Sequence, residues 1–508
     1  MLKLNQIKEL LPEALIAHPK DIEFSQIAYD SRQVKSGCLF VAIKGEKLDG
    51  HRFIPEAIQQ GAVAIVTRKL LTTGISIPQI VVPDTRRTLA VLAHHFYGQP
   101  SRKIKVIGIT GTNGKTTTAY LTRAILEAAP MSIGVGLLGT ISYSIGKREI
   151  PAPITTPESA DLAGYLAEMV SLGLQYAVIE VSSHSLIQKR VYGIDFAAGV
   201  FTNLGRDHLD FHKNIKQYRK AKSILFRQLP KSSIAVLNLD DPASKYFQPV
   251  IKARVFHYGF TVNGSTSRPP FNIEIASNTL NGLALRLHTP TGEIAVSSSL
   301  IGQHNAYNIL AAVTTTYALG ITDPQIIQQG VTSVKSVPGR LENVETNRPF
   351  KVLVDFAHTP NALEATLTSL KPLVYERLIV VFGCGGDRDR GKRPLMGKVA
   401  EKYADSIILT SDNPRSEDPR NIIRDIEKGL SRRKKYYIYP DRREAIEQAL
   451  ALVKPGDLIL IAGKGHETYQ ISKDTVRPFD DRKVVSEILG RAPHPKTLNQ
   501  TARLVVLL

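Results

Sequence analysis

Short apolar runs alternate with segments that repeat apolar residues at helical spacing through the middle of the chain. Predicted strands cover residues 177–181, 199–203 and 233–239, and predicted helices cover residues 116–128, 160–172 and 215–228. Strands that alternate with helices in this way are typical of βαβ units and a parallel sheet. The middle of the chain is therefore predicted to be an α/β domain.

The same alternation begins again in the last third of the chain. Predicted strands lie at residues 378–383, 406–411, 436–439 and 458–462, and predicted helices at residues 394–403, 419–430 and 442–453. This series is typical of a doubly wound, Rossmann-like domain. Proline and glycine interrupt a helical pattern at residues 336–340, and we expect the domain to begin there.

The elements near the start of the chain are shorter. Predicted strands lie at residues 39–43, 62–67 and 80–82, predicted helices at 53–60 and 88–97, and a predicted linker at 98–103. These patterns divide the chain into a small N-terminal α/β domain over residues 1–100, a central domain over 101–337 and a C-terminal domain over 338–490. Residues 491–508 form a tail whose order the sequence does not indicate.

Length and composition fit this division. A chain of 508 residues exceeds what one hydrophobic core supports, and its 43% hydrophobic and 22% charged residues are ordinary for a globular protein. No stretch approaches the roughly 18 apolar residues of a membrane span, and the first residues lack a signal-peptide core. Cys38 and Cys384 are too few for a disulfide framework. We expect a cytoplasmic protein without a membrane span.

The formal net charge of +19 allows two interpretations. It would suit a nucleic-acid partner, and it would equally help to collect a polyanionic small substrate. Lys and Arg are spread along the chain, and the short cluster at residues 432–435 is interpreted as a solvated helix end. No zinc-finger, RRM or helix-turn-helix signature accompanies it. The charge alone does not decide between the two.

A phosphate-binding loop is the strongest local motif. Residues 108–118, which we call the phosphate loop, read GITGTNGKTTT and follow the apolar run 104–107. Glycines bring backbone N–H groups close to phosphate oxygens, Lys115 adds a positive charge, and the following helix presents its positive end. Thr116 has the hydroxyl that such loops use to hold Mg²⁺. Ile109 stands where the usual P-loop spacing needs glycine, so this loop is a shortened relative, and it predicts a nucleoside triphosphate.

Two polar strand ends follow the phosphate loop. Glu180 ends an apolar run within VIEVSSH, and His208 follows the next run within NLGRDHLD. Ligands collect at the carboxyl ends of parallel strands, and a carboxylate and an imidazole there could share a Mg²⁺ with the triphosphate. Lys222 has the pattern of an ordinary lysine on a helix face. The sequence therefore predicts a metal site at Glu180 and His208.

The C-terminal domain has three polar loops at strand ends. They read GCGGDRDR at residues 383–390, TSDNPR at 410–415 and GKGHE at 463–467. Arg388 and Arg415 could hold a carboxylate in two hydrogen bonds each, while Asp412 or Glu467 could meet an ammonium. Together the loops predict a pocket for a zwitterionic ligand that resembles an amino acid.

These motifs together resemble those of the Mur ligase family over nearly the whole chain, from about residue 27 to residue 489. Residues 110–117 resemble its ATP loop, and residues 203–210, 304–308, 338–340 and 355–360 resemble its further signatures. Residues 30–32 and 37–42 are similar to the uridine-binding domain of the MurE branch. Residues 412–415, DNPR, resemble the motif that in this branch marks selection of meso-diaminopimelate rather than L-lysine.

The resemblance implies a UDP-binding N-terminal domain, a central P-loop-type ATPase with a parallel sheet, and an amino-acid-binding C-terminal domain. The implied enzyme is an ADP-forming ligase of peptidoglycan precursor synthesis, acting as a monomer. It would join meso-diaminopimelate to the D-glutamate of UDP-N-acetylmuramoyl-L-alanyl-D-glutamate through an acyl phosphate, with ATP as the substrate and Mg²⁺ as the cofactor. No nucleic acid would take part.

The resemblance also implies roles for individual residues. Those for ATP are Gly111, Thr112, Asn113, Gly114, Lys115, Thr116, Thr117, Asn305, Arg340 and Asp355. The implied catalytic residues are Lys115, Glu180, His208 and Lys222, and the implied metal ligands are Thr116, Glu180, His208 and Lys222, the last as a carbamate (N6-carboxylysine). Those for the UDP-muramoyl peptide are Ser31, Thr155, Thr156, Ser182, Gln188 and Arg190. Those for diaminopimelate are Arg388, Asp412, Asn413, Arg415, Gly463 and Glu467.

Two alternative functions remain open, and the sequence departs from the family pattern at two places. A related ligase that adds L-lysine or another amino acid would share the phosphate loop, and a basic nucleic-acid-dependent NTPase would account for the charge. Residues 46–48 stand where relatives often present a histidine to the uridine, so the uridine contacts there are open. Phe356 replaces the more usual tyrosine of the motif at residues 355–360.

Overall fold

Three large sheets organise the molecule. The computed structural model describes residues 2–45, 48–72, 74–130, 134–260, 269–374, 376–431, 434–473 and 475–490. In chain order, the large sheets contain five, eleven and six strands. The residues at 46 and 47, which bear on the uridine contacts, and the tail at 491–508 lie outside the described residues. The predicted domain limits at residues 101 and 338 stay predictions.

The N-terminal sheet is mixed and carries helices on both faces. Its strands in spatial order are Leu15–Ala17, Gln79–Val81, Ala62–Thr67, Cys38–Val41 and Gln26–Ala28. A small pair joins Leu2–Lys3 to Glu23–Phe24. The α-helices are Leu4–Leu10, Ile54–Gln59 and Thr85–Phe96, and short 3-10 helices are Ser31–Gln33, Gly50–Phe53 and Pro100–Arg102. The three predicted strands are confirmed to within two residues.

One predicted helix of this region begins earlier than expected. The spacing of apolar residues places its start at 88, whereas the helix runs over Thr85–Phe96. Asp84 caps it, because the Asp84 side chain accepts a hydrogen bond from the Arg87 backbone N–H at 3.0 Å. The first turn is polar on its outer side, so periodicity alone does not reveal it.

The central sheet has a parallel middle and antiparallel ends. Its strands in spatial order are Arg148–Pro151, Ser142–Ile145, Val135–Leu138, Tyr176–Glu180, Lys105–Thr110, Phe196–Phe201, Ile234–Asn238, Arg254–Phe260, Phe271–Thr279, Gly282–Thr289 and Gly292–Ser298. The run from Val135–Leu138 to Phe271–Thr279 is parallel, and the remaining four strands pair antiparallel. The predicted parallel sheet is confirmed for the middle only. The strands at the two ends, such as Ser142–Ile145 with its two serines, lack the continuous apolar runs on which the prediction rests.

Helices cover both faces of the central sheet. They are Lys115–Glu127, Ser159–Ser171, Ser183–Ile187, Leu209–His212, Ile215–Arg227, Ala243–Phe247, Gln303–Ala318 and Pro324–Ser333, with a 3-10 helix at Gln248–Val250. The three predicted helices of this region are each confirmed to within one residue. Separate apolar clusters fill the two faces, one around Ile107 and Val200 and the other around Val106 and Phe201.

The C-terminal sheet is parallel except for its first strand. In spatial order the strands are Glu342–Val344, Lys351–Asp355, Leu458–Ala462, Leu378–Phe382, Ser406–Leu409 and Tyr436–Ile438. The helices are Pro360–Leu370, Lys392–Tyr403, Pro419–Glu427, Arg442–Leu452 and Asp481–Gly490, with a 3-10 helix at Lys371–Leu373. A hairpin of Tyr469–Ser472 and Thr475–Pro478 projects from it. The doubly wound prediction is confirmed.

The described part of the basic cluster at residues 432–435 does not end a helix. The preceding helix stops at Glu427, and Lys434 leads into the strand Tyr436–Ile438. The Lys434 ammonium donates to the Ala404 carbonyl oxygen at 2.8 Å, which anchors this connection. Residues 432 and 433 lie outside the described part of the chain. Among the helices that the structure describes, none is both long and apolar enough to cross a membrane.

Candidate active site

A cavity of about 810 Å³ lies between the central and C-terminal sheets. The carboxyl ends of the central strands Lys105–Thr110 and Tyr176–Glu180 lead into one wall, and the end of the C-terminal strand Lys351–Asp355 into another. The predicted site residues that line this cavity are Thr112, Asn113, Gly114, Lys115, Thr116, Thr117, Thr155, Glu180, Ser182, His208, Asn305, Arg340, Asp355, Arg388, Asp412, Asn413, Arg415, Gly463 and Glu467. The topology thus brings together residues that lie far apart in sequence.

The phosphate loop joins a buried strand to the helix Lys115–Glu127. Gly114 has a φ of 83°, and a Cβ added there would lie 2.2 Å from the Asn308 Oδ1. A Cβ added at Gly111 would lie 1.8 Å from the Thr202 Oγ1. Glycine is therefore required at both positions by the neighbouring side chains as well as by the turn.

A neighbouring strand end fixes the shape of this loop. The Thr202 hydroxyl donates to the Asn113 carbonyl oxygen at 2.6 Å, and the Asn203 amide donates to the same oxygen at 3.1 Å. The Asn113 backbone N–H donates to the Asn203 Oδ1 at 3.0 Å. The loop is held in one conformation before it meets a ligand, which lowers the entropy that binding must remove.

Lys115 lies at the base of the loop. Its ammonium donates to the carbonyl oxygens of Gly111 and Thr112, each at 2.9 Å. Desolvation inside the cavity lowers the pKa of Lys115, while the charges of Glu180 and Asp207 act in the opposite direction. A phosphate anion would replace weak carbonyl partners with a full charge, so this ammonium is suited to bind one.

Glu180 is fully buried at the end of its strand. The Thr116 hydroxyl donates to its Oε2 at 2.9 Å, and the Thr140 backbone N–H donates to its Oε1 at 2.8 Å. The Arg340 guanidinium in turn donates to the Thr116 hydroxyl at 3.1 Å. The carboxylate, the hydroxyl and the guanidinium therefore meet at one point on the cavity wall.

His208 lies beside this point, in a left-handed backbone conformation with a φ of 52°. Its Nε2 lies 3.3 Å from the Asp207 Oδ2, and its ring packs edge-on against His184, with 4.8 Å between the ring centroids. The side chain is 42% exposed, but its open side faces the enclosed cavity. Desolvation by the surrounding walls lowers the pKa of His208, so the imidazole is neutral at pH 7 and can act as a ligand.

Lys222 lies directly behind the phosphate loop and is not among the residues that line the cavity. Only 1% of it is exposed, and its Nζ donates to the Gly111 carbonyl oxygen at 2.8 Å. Burial and the nearby charge of Lys115 lower the pKa of Lys222 well below its ordinary value. A neutral amine is the form that adds carbon dioxide, so the environment of this lysine fits carbamate formation.

The donors near Thr116 fit a magnesium ion. Mg²⁺ prefers oxygen ligands and is usually held by one or two carboxylates together with substrate phosphates. The Thr116 hydroxyl and the Glu180 carboxylate supply oxygen donors 2.9 Å apart. No group of three or more His, Cys, Asp or Glu side chains arranged for a metal occurs among the described residues. Phosphate oxygens of the substrate would supply further ligands, as in other Mg²⁺ sites of this kind.

Two further residues predicted for ATP, Arg340 and Asp355, are held by contacts at the start of the C-terminal domain. The Asp355 carboxylate accepts hydrogen bonds from the backbone N–H groups of Leu341 at 2.8 Å and Ala357 at 2.9 Å. The Arg340 guanidinium stacks on the Phe356 ring at 4.8 Å from its centroid. Phenylalanine at position 356 therefore still supplies the aromatic face that Arg340 needs.

The six residues predicted for diaminopimelate meet at the far end of the cavity, and we call them the amino-acid pocket. Gly385 separates Arg388 and Arg415, since a Cβ added at Gly385 would lie 2.9 Å from the Arg415 Nη1 and 3.7 Å from the Arg388 Cγ. Desolvation and the neighbouring Arg388 charge lower the pKa of Arg415. An anion bound between the two guanidinium groups would relieve this repulsion.

Two carboxylates complete the amino-acid pocket. Asp412 is 7% exposed, and a Cβ added at Gly463 would lie 2.5 Å from its Oδ2, so only glycine allows this approach. The Asn413 amide donates to the Glu467 Oε2 at 2.8 Å. The pocket therefore offers two cations and two carboxylates at its surface.

A buried ion pair supports two of the three loops from behind. Arg442 and Asp481 are both fully buried, with two contacts of 2.8 Å between guanidinium and carboxylate. The same guanidinium donates to the carbonyl oxygens of Ser411 at 3.2 Å and Ala462 at 3.1 Å. These carbonyls come directly before Asp412 and Gly463, so one side chain fixes the ends of two strands.

The residues predicted for the UDP-muramoyl peptide divide into two groups. Thr155 and Ser182 line the cavity, and Thr156 and Arg190 lie directly behind them, since the Arg190 guanidinium donates to the Thr156 carbonyl oxygen at 3.0 Å and to the Gln188 Oε1 at 2.7 Å. Ser31 lies in the N-terminal domain, where its hydroxyl donates to Glu56 at 3.0 Å. Ser31 is not among the residues that line the cavity.

Three residues at the cavity are absent from the sequence predictions: Thr140 and Asn308 line it, and Lys464 lies behind lining residues. Thr140 holds Glu180, Lys464 holds Glu467, and Asn308 packs on Gly114. The sequence could have indicated Asn308, because it belongs to the same short motif as Asn305. Thr140 follows a strand that was not predicted, and Lys464 has no local signal besides its two flanking glycines.

Comparison with known proteins defines the class. The family described as "Mur ligase family, catalytic domain" matches residues 23–97, "Mur ligase middle domain" matches 109–316, and "Mur ligase, glutamate ligase domain" matches 339–465. The chain belongs to the Mur ligase family, whose members are ATP-dependent amide-bond ligases.

Relatives that are similar to this chain over nearly its whole length share one name. A protein of Syntrophomonas wolfei is 46% identical over 96% of this chain and 99% of its own length, and one of Listeria monocytogenes is 44% identical over 95% and 97%. Both are named UDP-N-acetylmuramoyl-L-alanyl-D-glutamate–2,6-diaminopimelate ligase. A solved structure with the same name is 33% identical, has a TM-score of 0.66 and covers 95% of this chain and 98% of its own.

A second solved structure shares the fold at much lower sequence identity. MurF from Acinetobacter baumannii matches with a TM-score of 0.67 at 20% identity and covers 96% of this chain and 98% of its own. At this identity the likeness concerns the fold alone. The particular amino acid that this chain uses must therefore be argued from the amino-acid pocket and from the relatives of higher identity.

Proposed function

We propose that this protein adds meso-diaminopimelate to UDP-N-acetylmuramoyl-L-alanyl-D-glutamate and converts ATP to ADP and phosphate. One observation carries the proposal: a single cavity has a phosphate loop at one end and paired arginines with paired carboxylates at the other. The first end suits a triphosphate and the second a zwitterion. The names of the relatives at 44–46% identity support the same reaction.

The phosphate end activates a carboxylate. A carboxylate is too poor an electrophile for an amine, so ATP first converts it to an acyl phosphate, and two anions must approach each other. Lys115, the backbone N–H groups of the phosphate loop and the helix that begins at Lys115 offset this repulsion. When bound, Mg²⁺ would neutralise further phosphate charge. Thr116, Glu180 and His208 would hold the ion, and Asn305, Arg340 and Asp355 would contact the nucleotide.

Lys222 would act as a carbamate in this arrangement. An unmodified ammonium next to a metal ion would be repulsive, whereas a carbamate is an anion that would help to hold Mg²⁺. The buried position and lowered pKa of Lys222 support this modification.

The amino-acid pocket would hold the end of diaminopimelate that does not react. Arg388 and Arg415 would bind its carboxylate, and Asp412 or Glu467 its ammonium. L-lysine has no carboxylate at that end, so it would leave two guanidinium groups without their anion. Thr155, Thr156, Ser182, Gln188 and Arg190 would bind the muramoyl peptide, with Ser31 at its uridine end.

Cell location and assembly follow from the same proposal. ATP and UDP-linked precursors are cytoplasmic metabolites, so we expect the reaction in the cytoplasm. One chain contributes both ends of the cavity, so we expect a monomer to be active.

An amino-acid selectivity assay tests the proposal. Purified protein with Mg²⁺, ATP and the UDP-muramoyl dipeptide should release phosphate with meso-diaminopimelate and little with L-lysine. Formation of the UDP-tripeptide, followed by mass spectrometry, confirms that the phosphate comes from ligation. A preference for L-lysine would assign the chain to the lysine-adding alternative, and phosphate release that requires DNA or RNA would overturn the ligase proposal.

A further inference from the structure

Lys464 is completely buried next to Gly463 of the amino-acid pocket, and it is not among the residues that line the cavity. It lies between Gly463, with a φ of 115°, and Gly465, with a φ of 53°. A Cβ added at Gly465 would lie 2.7 Å from the Phe356 Cβ, so the backbone here is closely packed and can carry no other side chain. Lys464 is therefore the one side chain of the turn between the two glycines, and it is buried in the protein.

Three acceptors surround the Lys464 ammonium. It donates to the Glu467 Oε2 at 2.9 Å, to the Asn413 Oδ1 at 3.3 Å and to the Tyr469 carbonyl oxygen at 2.5 Å. An ammonium has three hydrogens to donate, so all of them have a partner. The three acceptors belong to three segments: the loop at 463–467, the loop at 412–415 and the hairpin strand Tyr469–Ser472.

These contacts determine which atoms face the ligand. The Glu467 Oε2 receives hydrogen bonds from both Lys464 and Asn413, whereas the Glu467 Oε1 has no hydrogen-bond partner within the described part of the chain. The Asn413 Oδ1 also accepts from the Ile471 backbone N–H at 2.9 Å. Lys464 therefore holds Glu467 by one oxygen and leaves the other for a ligand in the cavity.

The charge of Lys464 also changes what the pocket attracts. Arg388, Arg415 and Lys464 carry three positive charges, and Asp412 and Glu467 carry two negative charges, so these five groups have a net charge of +1. An end group with a carboxylate and an ammonium is neutral overall, whereas the end of L-lysine is a bare ammonium. The excess positive charge disfavours the bare ammonium, and its removal would weaken that discrimination.

We propose that Lys464 is a positioning and specificity residue of the amino-acid pocket, which orients Asn413 and Glu467 and biases the pocket against a ligand whose end is only cationic. This inference rests on the proposed function for the identity of the two ligands.

The test compares Lys464→Met with the unaltered protein for two amino acids. We measure kcat and KM for meso-diaminopimelate and for L-lysine, and KM for ATP and for the UDP-muramoyl dipeptide. Loss of a charge-assisted hydrogen bond should raise the KM for meso-diaminopimelate by about tenfold or more. The ratio of kcat/KM for meso-diaminopimelate to that for L-lysine should fall by a similar factor, while the KM values for ATP and the dipeptide stay within about twofold.

Two further variants control the experiment. Lys402→Met removes a lysine of the same domain that is 65% exposed and paired with Glu364, and it should leave every parameter unchanged. Lys464→Gln keeps a hydrogen-bond donor without the charge, and its effect should lie between those of the unaltered protein and Lys464→Met. If Lys464→Met does not give folded protein by circular dichroism, Lys464→Gln is judged by the same criteria.

The outcomes separate this inference from the proposed function. The amino acid that the unaltered protein prefers decides the proposed function, whereas the change in the selectivity ratio between variant and unaltered protein decides the role of Lys464. A folded variant whose ratio stays within about twofold would overturn the inference. So would a loss that falls equally on all three substrates, because that is the result expected of a residue that only stabilises the fold.

Discussion

The two ends of the cavity are built in opposite ways. The phosphate end is built around one continuous segment, residues 108–118, which joins a buried strand to a helix terminus, and single side chains such as Glu180 and Arg340 reach it from elsewhere. The amino-acid pocket comes from three loops about 30 to 50 residues apart, and it presents side chains held by other side chains. Backbone recognises any phosphate, whereas a set of side chains can be exchanged to recognise a different ligand.

This difference predicts that substitutions at the two ends will change the kinetics in different ways. A change at the phosphate end should remove turnover with every amino acid, because activation of the carboxylate precedes the choice of amine. A change at the amino-acid pocket should act on the KM for one substrate and leave activation intact. The three predictions below test this contrast, from the largest expected effect to the smallest.

The largest effect is expected for Lys222→Ala. Loss of one preorganised electrostatic group typically lowers kcat by about 10²–10³-fold, and the loss should be the same whichever amino acid is supplied. High concentrations of acetate or bicarbonate should restore part of the activity by taking the place of the carbamate. Phosphate release gives the rate, and mass spectrometry of the intact unaltered protein should detect the extra mass of a carbamate.

Lys220→Ala provides the matched control for this prediction. Lys220 is exposed on the same helix, and its side chain should contribute nothing to turnover. If Lys222→Ala kept nearly full activity, the carbamate role of Lys222 would be wrong. If it lost activity with one amino acid only, the contrast between the two ends of the cavity would fail.

An intermediate effect is expected for Arg415→Met. Methionine keeps much of the side-chain length but cannot bind a carboxylate, so the KM for meso-diaminopimelate should rise by about 10- to 150-fold, the factor that one charge-assisted contact contributes. The KM for ATP should not change. Steady-state kinetics with each substrate varied in turn checks this, and Arg420→Met, at an exposed position on the next helix, is the control.

The smallest effect concerns the acid stability of the loop that carries Arg388. Two hydrogen bonds from Arg393 hold the pKa of Glu417 at about 2, and Glu417 also accepts from the Asp387 backbone N–H at 2.7 Å. The unfolded carboxyl takes up its proton near pH 4.5, so the stabilisation is complete above that pH and is lost as the pH falls from about 4.5 to about 2.

Glu417→Gln should remove this part of the pH dependence. Urea unfolding of the variant and the unaltered protein between pH 3 and pH 6 measures the slope of the unfolding free energy, which should differ by up to about one proton. Equal slopes would show that the ion pair with Arg393 does not persist in solution. ATP binding at pH 7 should be the same for both proteins, because Glu417 is not part of the phosphate end.

The sequence alone predicts the elements that follow a local pattern of residues. The strands around residues 107 and 460 are continuous apolar runs because both faces are covered, and the phosphate loop is a contiguous motif. The antiparallel strands at the two ends of the central sheet were not predicted, since polar residues interrupt their apolar runs: Gly292–Ser298 alternates exposed and buried positions, and the buried strand Ser142–Ile145 contains two serines. The early start of the helix at Thr85 depended on a cap from Asp84 that periodicity cannot detect.

The residues of the candidate site also divide into those that a local motif predicts and those that it does not. Lys115, Glu180 and Arg415 were named from local motifs, and the structure places all three at one cavity. Thr140 and Lys464 were not named, because their importance lies in contacts with Glu180 and Glu467 that only the folded chain makes. The role of Lys222 came from family resemblance, since nothing in its neighbouring residues distinguishes it from a surface lysine.

The Arg442–Asp481 pair links the last helix that the structure describes to the amino-acid pocket. Asp481 begins the helix Asp481–Gly490, and Arg442 holds the ends of the two strands that lead to Asp412 and Gly463. Proteolytic clipping just before this helix would leave a buried guanidinium without its counter-ion beneath those strand ends. Such a shortened enzyme would lose its choice of amino acid before it lost its hold on ATP, and could hydrolyse ATP without making product.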